Sequence, residues 1–292
     1  MKIREIHAKT LLSKHKEADP YFGILYTMNL YRGCTHRCIY CDSRSECYQI
    51  EDFDGEILVK INAIELLAKE LTPRRQKGRI GTGSMNDPYQ AVERKYQLTR
   101  QALEIIARRR FPVHIITKGD LILRDLDLLQ DINREQALVS FTVTTADDTM
   151  GKQVEPFAPL SSKRLAALRQ LRDAGIRVGV TMQPVLPFIL DTPENVTHTI
   201  RQCAEHGAEY ILPWMGMSLR TGQREYYYKE LEKRFPGVVQ DYWQQYGYQY
   251  TANSPRAEEL YEIYNQLKAE YGFADQIPTY EPQVDATQPR LF

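Results

Sequence analysis

The stretch VHIITKGDLILRDLDLLQDINREQALVSFTVT, at residues 113–144, contains the unit from which most of the chain is built. Its apolar run at 113–117 predicts a buried strand, the apolar spacing at 126–132 predicts a helix, and the run at 137–144 predicts a second strand. Two strands joined through a helix lie parallel in one sheet, with a right-handed crossover. The stretch therefore predicts an α/β fold.

The same alternation continues in both directions. We predict strands at 26–31, 79–81, 113–117, 137–144, 178–182 and 210–212, with helices near 63–71, 96–110, 126–132, 161–174 and 193–206. Thr192 is the expected N-cap of the last helix, and Ser161 or Ser162 that of the helix before it. Gly175 and Gly207 are expected to end these two helices in a left-handed conformation.

Six strand–helix units are too few for a closed barrel of eight. We therefore predict a partial (β/α)6 TIM-like barrel with a C-terminal helical extension. The predicted organisation is an N-terminal segment at 1–19, the barrel at 20–215, a tyrosine-rich helical extension at 216–280 and a flexible tail at 281–292. Ligands of parallel sheets bind at the carboxyl ends of the strands, so functional residues are expected directly after each strand.

Composition sets limits on the function. The 292 residues are 42% apolar and 26% charged, which is typical of a globular enzyme and excludes a disordered chain. Lysine plus arginine and aspartate plus glutamate both number 38, so the zero net charge argues against binding duplex DNA by charge alone. No apolar window is long enough to span a membrane, and the charged start lacks a signal core. We expect a cytoplasmic protein without membrane partners.

The cysteines carry the chemistry. Cys34, Cys38 and Cys41 form a Cys-x3-Cys-x2-Cys run directly after the first predicted strand. Thiolates are soft ligands that suit iron–sulfur clusters and zinc. A four-iron cluster held by three cysteines keeps one iron open to a small ligand. The alternative is a structural zinc site with Cys47 or His36 as fourth ligand, but zinc loops usually have a second, distant ligand pair, which this chain lacks.

The two remaining cysteines are expected to be structural. Cys47 is interpreted as an inert loop residue, with a place beside the cluster as the alternative. Cys203 lies in the middle of a predicted helix and is expected in the core.

The cysteine run, with Tyr40 before its last member, resembles the cluster loop of the radical S-adenosylmethionine (SAM) superfamily. The resemblance implies a [4Fe-4S] cluster on the three cysteines, with SAM chelating the open iron. It also implies reductive cleavage of SAM to a 5'-deoxyadenosyl radical, which abstracts a hydrogen atom from an organic substrate. An electron donor such as flavodoxin or ferredoxin is the implied partner.

Further motifs resemble the spore photoproduct lyase-like, or DNA repair photolyase-like, group of that superfamily. They are Tyr31-Arg32-Gly33-Cys34, Gly81-Thr82-Gly83-Ser84-Met85-Asn86-Asp87-Pro88-Tyr89-Gln90, Thr117-Lys118, Phe141-Thr142-Val143-Thr144 and Gln183-Pro184, each closing or following a predicted strand. The resemblance implies a nucleic-acid base as a candidate substrate and DNA as a candidate partner. The implied cofactor-binding residues are Tyr40, Gly83, Ser84, Asn86, Lys118, Thr142 and Gln183.

Roles for some of these residues follow from their chemistry. Lys118 suits the carboxylate of SAM as a counter-charge, whereas Asn86 and Thr142 offer short polar groups. Gly83 allows the backbone to approach a ligand closely. Ser84 stands where the lyase has the cysteine that returns a hydrogen atom to the product radical. A hydroxyl is a far poorer hydrogen-atom donor, so reversal of a thymine dimer by that route is in doubt.

Other charged and aromatic stretches have structural interpretations. The basic runs at 74–79 and 108–110 are interpreted as solvated helix ends on the far side of the barrel. Nine tyrosines at 221–264 are more typical of packing than of base stacking. Glu155 and Arg164 are expected to pair with each other, or to face substrate.

The end of the chain carries a separate hypothesis. Gln288-Pro289-Arg290-Leu291-Phe292 resembles the short peptide by which bacterial DNA-processing proteins bind the sliding clamp, although Pro289 departs from the usual leucine. The alternative to radical SAM chemistry is therefore a clamp-associated iron–sulfur binding protein that does not use SAM.

Overall fold

The structure is a computed structural model that describes residues 1–50, 52–72, 74 and 76–281. Its strands are β1 (Lys2–Ile6), β2 (Leu12–Lys14), β3 (Ile24–Met28), β4 (Tyr31–Arg32), β5 (Glu56–Lys60), β6 (Arg79–Thr82), β7 (Val113–Thr117), β8 (Ala137–Thr142), β9 (Arg177–Met182), β10 (Ile211–Pro213), β11 (Gly216–Ser218) and β12 (Thr251–Asn253). Its α-helices are α1 (Ala63–Leu71), α2 (Glu93–Tyr96), α3 (Leu98–Arg109), α4 (Leu126–Ile132), α5 (Asp148–Val154), α6 (Ser161–Asp173), α7 (Pro193–Glu205), α8 (Gln223–Arg234), α9 (Val238–Tyr246) and α10 (Ala257–Tyr271).

A seven-stranded sheet in the order β10-β9-β8-β7-β6-β3-β2 forms the centre of the fold. Its six strands from β3 to β10 are parallel, and β2 pairs antiparallel at one edge. The strands β6 and β8 are buried along their whole length, as expected where helices cover both faces of a parallel sheet. The sheet remains open between β10 and β2, so the predicted α/β fold with a partial TIM-like barrel is confirmed.

The first predicted strand, at 26–31, is wrong in its bounds. The chain leaves the central sheet after Met28, and Tyr31–Arg32 pairs antiparallel with β5 in a second sheet of order β1-β5-β4. The Lys60 amide donates to the Leu30 carbonyl at 3.2 Å, and its ammonium donates to the Asn29 carbonyl at 2.6 Å. The apolar run at 26–31 therefore contributes to two different sheets. Hydrophobic periodicity does not reveal this division, because it does not identify the partner strand.

The helix boundaries test the predicted caps. Thr192 accepts a hydrogen bond from the Asn195 amide at 3.2 Å and so caps α7 as predicted. The predicted serine cap of α6 is wrong, because Leu160 is the N-cap residue. The Asp148 carboxylate instead accepts a hydrogen bond from the Ser162 amide, in the first turn of α6, at 3.0 Å. Gly175 and Gly207 have φ angles of 85° and 89°, which confirms the predicted left-handed helix ends.

The chain after β10 folds back over the central sheet. The helix α10 packs against α7, and β11 pairs with β12. The rings of Tyr227 and Tyr242 are fully buried, with centroids 5.3 Å apart, as expected of packing residues. Tyr248 is 81% exposed at the end of the same region. None of the helices that the structure describes is long and apolar enough to cross a lipid bilayer.

Candidate active site

A cavity of about 300 Å³ lies at the carboxyl ends of the parallel strands. All of the predicted metal-binding and cofactor-binding residues line its wall: Cys34, Cys38, Tyr40, Cys41, Gly83, Ser84, Asn86, Lys118, Thr142 and Gln183. These residues come from the cysteine loop, from the last residue of β8 and from the segments that follow β6, β7 and β9. The structure thus brings together every predicted site residue, whereas their individual roles remain predictions.

The cysteine loop, residues 33–41, is held in place by buried side chains. Gln90, which is fully buried, accepts from the Thr35 amide at 2.9 Å and donates to the Gly33 carbonyl at 3.3 Å. Gln223 donates to the Tyr40 carbonyl at 3.0 Å from the first turn of α8. The loop is therefore anchored by the turn after β6 on one side and by the C-terminal helices on the other.

The three thiols of the loop are sheltered from water. Cys34 and Cys38 are buried, and Cys41 is partly exposed. Burial raises the pKa of all three thiols, that of Cys38 to about 12. Without metal they are therefore neutral, and metal binding releases their protons. Three soft ligands on one loop around one cavity are the donor set that an iron–sulfur cluster with one open iron requires.

A zinc site has less support from the geometry. Within the described parts of the chain, no group of three or more His, Cys, Asp and Glu side chains is arranged to hold a single metal ion. The thiolates of a four-iron cluster each bind a different iron, so they need not converge on one point. Cys47 is exposed and lies outside the cavity, where its sulfur accepts a hydrogen bond from the Arg220 guanidinium at 3.3 Å. Cys203 is fully buried in α7.

A buried ionic network forms the wall beside Cys38. The Glu155 carboxylate pairs with Arg164 at 2.5 Å and with Lys118 at 3.6 Å, and it accepts from the Tyr40 hydroxyl. Burial raises the pKa of Glu155, but the charges of Arg164 and Lys118 outweigh burial and hold it below its usual value. For Lys118, burial lowers the pKa, whereas the thiolate form of Cys38 and the Glu155 carboxylate more than offset this effect. Lys118 is therefore a cation at the cavity wall.

Asp87 is a central residue that the sequence reasoning did not select. Its carboxylate accepts from the Thr117 hydroxyl at 2.6 Å and the Lys118 amide at 2.6 Å, and it lies 3.4 Å from Nδ1 of His36. It therefore ties the turn after β6 to the end of β7 and to the cysteine loop. Its place in the 81–90 motif was the available signal. Burial lowers the pKa of His36, which keeps this imidazole neutral.

The turn after β6 requires glycine at one position. Gly83 has a φ of 101°, and a Cβ there would lie 1.9 Å from the carbonyl oxygen of Ile116. This close packing holds the turn that carries Ser84 against the end of β7 at the cavity wall. Asn86 donates to the Tyr31 carbonyl at 2.8 Å, which leaves its side-chain oxygen available to a ligand.

The polar groups after β8 and β9 have internal partners. The Thr142 hydroxyl lies 3.0 Å from that of Thr181 on the neighbouring strand. Gln183 donates to the Tyr21 hydroxyl at 2.8 Å and to the Leu212 carbonyl at 3.3 Å. These bonds orient both side chains at the cavity, which suits a site prepared for its ligand before binding.

The C-terminal part contributes residues that sequence reasoning missed. Trp214, Met217 and Ser218 line the same cavity. The Ser218 hydroxyl donates to Asp42 of the cysteine loop region at 2.7 Å, and the guanidinium of Arg220 lies 3.0 Å from that carboxylate. Trp214 directly follows β10, so its position after a strand was the available signal, whereas Met217 and Ser218 lie in β11, which the sequence reasoning did not predict.

The fold and the cavity agree with comparisons to known proteins. The radical SAM superfamily profile matches residues 28–201, which is more than half of the chain. The chain therefore belongs to the radical SAM superfamily, whose members use a [4Fe-4S] cluster and SAM, and it is a radical SAM enzyme.

Individual relatives extend the similarity beyond this region. An uncharacterised protein of Mycobacterium tuberculosis is 32% identical over 252 residues, which cover 84% of this chain and 73% of the relative. A radical SAM Nalpha-GlyT isomerase of Pseudomonas phage M6 is 23% identical over 263 residues, covering 87% of this chain and 54% of the isomerase.

Solved structures support the same architecture. A spore photoproduct lyase variant superimposes with a TM-score of 0.69 over 92% of this chain and 79% of the lyase, at 17% identity. Another lyase variant, with bound S-adenosylmethionine and dinucleoside spore photoproduct, gives a TM-score of 0.67 over 92% of this chain and 78% of the lyase, at 16% identity. At these identities the likeness establishes the shared fold.

Proposed function

We propose that this enzyme binds SAM in the cavity beside Cys34, Cys38 and Cys41 and uses it to remove a hydrogen atom from a nucleic-acid base. The observation that carries this proposal is the meeting of all the predicted site residues in one cavity. When bound, the cluster and SAM supply a 5'-deoxyadenosyl radical that abstracts the hydrogen atom.

The cavity wall has suitable groups for the polar parts of SAM. Lys118 is a cation whose side chain is 14% exposed, and it would pair with the SAM carboxylate while Glu155 holds its position. Asn86 and Thr142 present polar groups for the amino-acid or ribose part. Gly83 lines the cavity, and its lack of a side chain lets this turn pack against the Ile116 carbonyl at the end of β7. The Tyr40 ring lines the cavity with its hydroxyl fixed by Glu155.

The side of the cavity formed by the C-terminal part suits a flat substrate. Trp214 and Met217 line this part of the cavity, and aromatic and methionine side chains favour contact with a heteroaromatic ring. A nucleic-acid base has such a ring, and a spore photoproduct lyase of the same fold binds a dinucleoside photoproduct. These observations support a base as the substrate class, with DNA as its polymer.

This enzyme differs from a lyase that uses a thiol to return a hydrogen atom to the product radical. Among the described residues, the only cysteines lining the cavity are Cys34, Cys38 and Cys41, which would ligate the cluster. Ser84 has no thiol, and the hydroxyl of Tyr40 is bonded to Glu155. We therefore propose hydrogen abstraction without a cavity thiol as the hydrogen donor, which disfavours reversal of a thymine dimer by that route.

Anaerobic reconstitution tests the function. The wild-type enzyme should bind about four irons per chain and release 5'-deoxyadenosine from SAM when reduced. Cys38→Ala should lose both, whereas the matched control Cys47→Ala, in an exposed position outside the cavity, should retain both. Retention of iron and SAM cleavage by Cys38→Ala would refute the proposed ligand set. The substrate class is tested by incubating the enzyme with deuterated oligonucleotides and measuring deuterium in the released 5'-deoxyadenosine.

The cytoplasm as compartment and the sliding clamp as partner are two further proposals. Iron–sulfur ligation by free thiols suits a reducing cytoplasm. Clamp binding by Gln288-Pro289-Arg290-Leu291-Phe292 stays a prediction, because these residues lie outside the part of the chain that the structure describes. Binding of the peptide to the clamp, with Phe292→Ala as control, tests it.

A further inference from the structure

A second pocket lies on the outer side of the cysteine loop. Its volume is about 380 Å³, and it opens to solvent next to Thr35 and His36. The remaining wall comes mainly from the segment between α5 and α6 and from the region around α2. His36 lines both this pocket and the catalytic cavity, so the two adjoin at this residue.

The surface of this pocket is coupled directly to the cysteine loop. Phe157 is 61% exposed, and its backbone amide donates to the His36 carbonyl at 3.3 Å. The guanidinium of Arg37 lies 5.4 Å from the Phe157 ring centroid. His36 is two residues from both Cys34 and Cys38 in the sequence. An electron that arrives at Phe157 therefore has a short path, through one hydrogen bond and a few covalent bonds, to two cluster ligands.

The charge of the pocket rim is positive. Arg94, Lys152 and Lys163 line it, and all three are exposed. Across the described residues none of the three forms an ion pair, and Asp120 is the acidic residue in the wall. Since the whole chain has zero net charge, this rim is a local concentration of free positive charge around an exposed aromatic ring.

We propose that this face, formed by Arg94, Lys152, Phe157 and Lys163, is the docking site of a small acidic one-electron carrier protein. The inference rests on the proposed function. On docking, the reduced carrier loses one electron, the cluster gains one, and no covalent bond is formed or broken. A small apolar contact inside a charged rim is typical of transient electron-transfer complexes, which must form and separate quickly. Opposite charge speeds their encounter and makes it depend on salt.

A nucleic acid would also be attracted to free cations, so the position of the face decides between the two partners. The face opens behind the cysteine loop, away from Trp214, Met217 and Ser218, which line the catalytic cavity on the substrate side. A carrier gains from closeness to the cysteines, whereas a polynucleotide substrate must reach the cavity mouth.

The test compares two reductants under anaerobic conditions. Release of 5'-deoxyadenosine is measured with reduced flavodoxin, as the acidic carrier, and with excess dithionite, which needs no docking site. Lys152→Glu/Lys163→Glu should lower the flavodoxin-supported rate about tenfold at low salt, because reversed charge slows association. The dithionite-supported rate should not change. High salt should lower the wild-type flavodoxin rate toward that of the variant.

Matched variants make the outcome specific. Lys9→Glu/Arg108→Glu reverses two exposed charges elsewhere and should leave both rates unchanged. Phe157→Ser should lower the flavodoxin-supported rate alone. An unchanged flavodoxin rate in Lys152→Glu/Lys163→Glu, or an equal fall of both rates, would overturn the docking proposal. Loss of DNA affinity with an unchanged flavodoxin rate would assign the face to nucleic acid. Failure of the wild type to cleave SAM with dithionite would instead refute the proposed function.

Discussion

The buried carboxylate of Glu155 offers a quantitative test of the site. Its side chain and that of Arg164 are each 1% exposed, and Lys118 is 14% exposed. Glu155→Gln keeps the shape of the side chain but removes the negative charge that both cations share. Arg164 retains its hydrogen bonds to the carbonyls of Pro159 and Thr142, at 2.8 and 2.9 Å, and cannot move away to water. The two cations then remain close together without the carboxylate that pairs with both of them.

The size of the effect follows from this burial. Removing one partner of a buried ion pair costs about 3–5 kcal/mol, because the other charge is left uncompensated. The exposed pair of Arg4 and Glu56, with side chains 54% and 21% exposed, provides the comparison. Glu56→Gln should cost only about 0–1 kcal/mol. At roughly 2 °C or more per kcal/mol for a chain of this size, Glu155→Gln should lower the melting temperature by at least about 6 °C.

The assay is anaerobic thermal unfolding of the reconstituted enzymes, followed by circular dichroism. A double-mutant cycle with Arg164→Met isolates the pair, since the second substitution removes one of the charges that the first leaves uncompensated. The combined loss should therefore be smaller than the sum of the two single losses. A melting temperature for Glu155→Gln within about 2 °C of that for Glu56→Gln would refute the reasoning.

Three further predictions test other parts of the structure. Lys118→Met should weaken SAM binding about tenfold, measured by equilibrium dialysis, with iron content unchanged; undiminished affinity would remove Lys118 from the SAM site. Gly83→Ala should lower soluble yield and melting temperature, because its Cβ would meet the Ile116 carbonyl at 1.9 Å, and wild-type stability would contradict this geometry. Burial lowers the pKa of His114 from 6.5 to about 3, so only the unfolded chain takes up this proton as the pH falls. The free energy of unfolding should therefore drop between pH 6.5 and 5, and His114→Asn should remove about 2 kcal/mol of that decline, measured by urea titration; an unchanged slope would contradict it.

Much of the fold could be predicted because its signals are local. The strands at 113–117 and 178–182 are buried on both faces, so each appears in the sequence as a short, mainly apolar run. Thr192 and Gly207 mark helix ends through their own side chain and backbone chemistry. The prediction failed at 26–31, where the apolar run divides between two sheets, since periodicity records burial but not the identity of the paired strand.

Much of the candidate site could also be predicted from local sequence signals. The spacing of Cys34, Cys38 and Cys41 is local, and the other predicted residues each follow a strand. Because the carboxyl ends of parallel strands meet at one edge, position after a strand was enough to place them together. Sequence reasoning left open whether Glu155 pairs with Arg164 or faces substrate, and the structure shows the pair.

The amino-acid sequence by itself determined the alternation of strands and helices, the thiol loop and the edge of the sheet where the site lies. Only the tertiary structure decided that Glu155 joins Tyr40 to Lys118, that Gln223 supports the cysteine loop, and that Met217 reaches the cavity. The physical reason is the range of the interactions. Hydrophobic periodicity and helix capping act between neighbours in the chain, whereas ion pairs and cavity walls depend on distances in space between residues far apart in sequence.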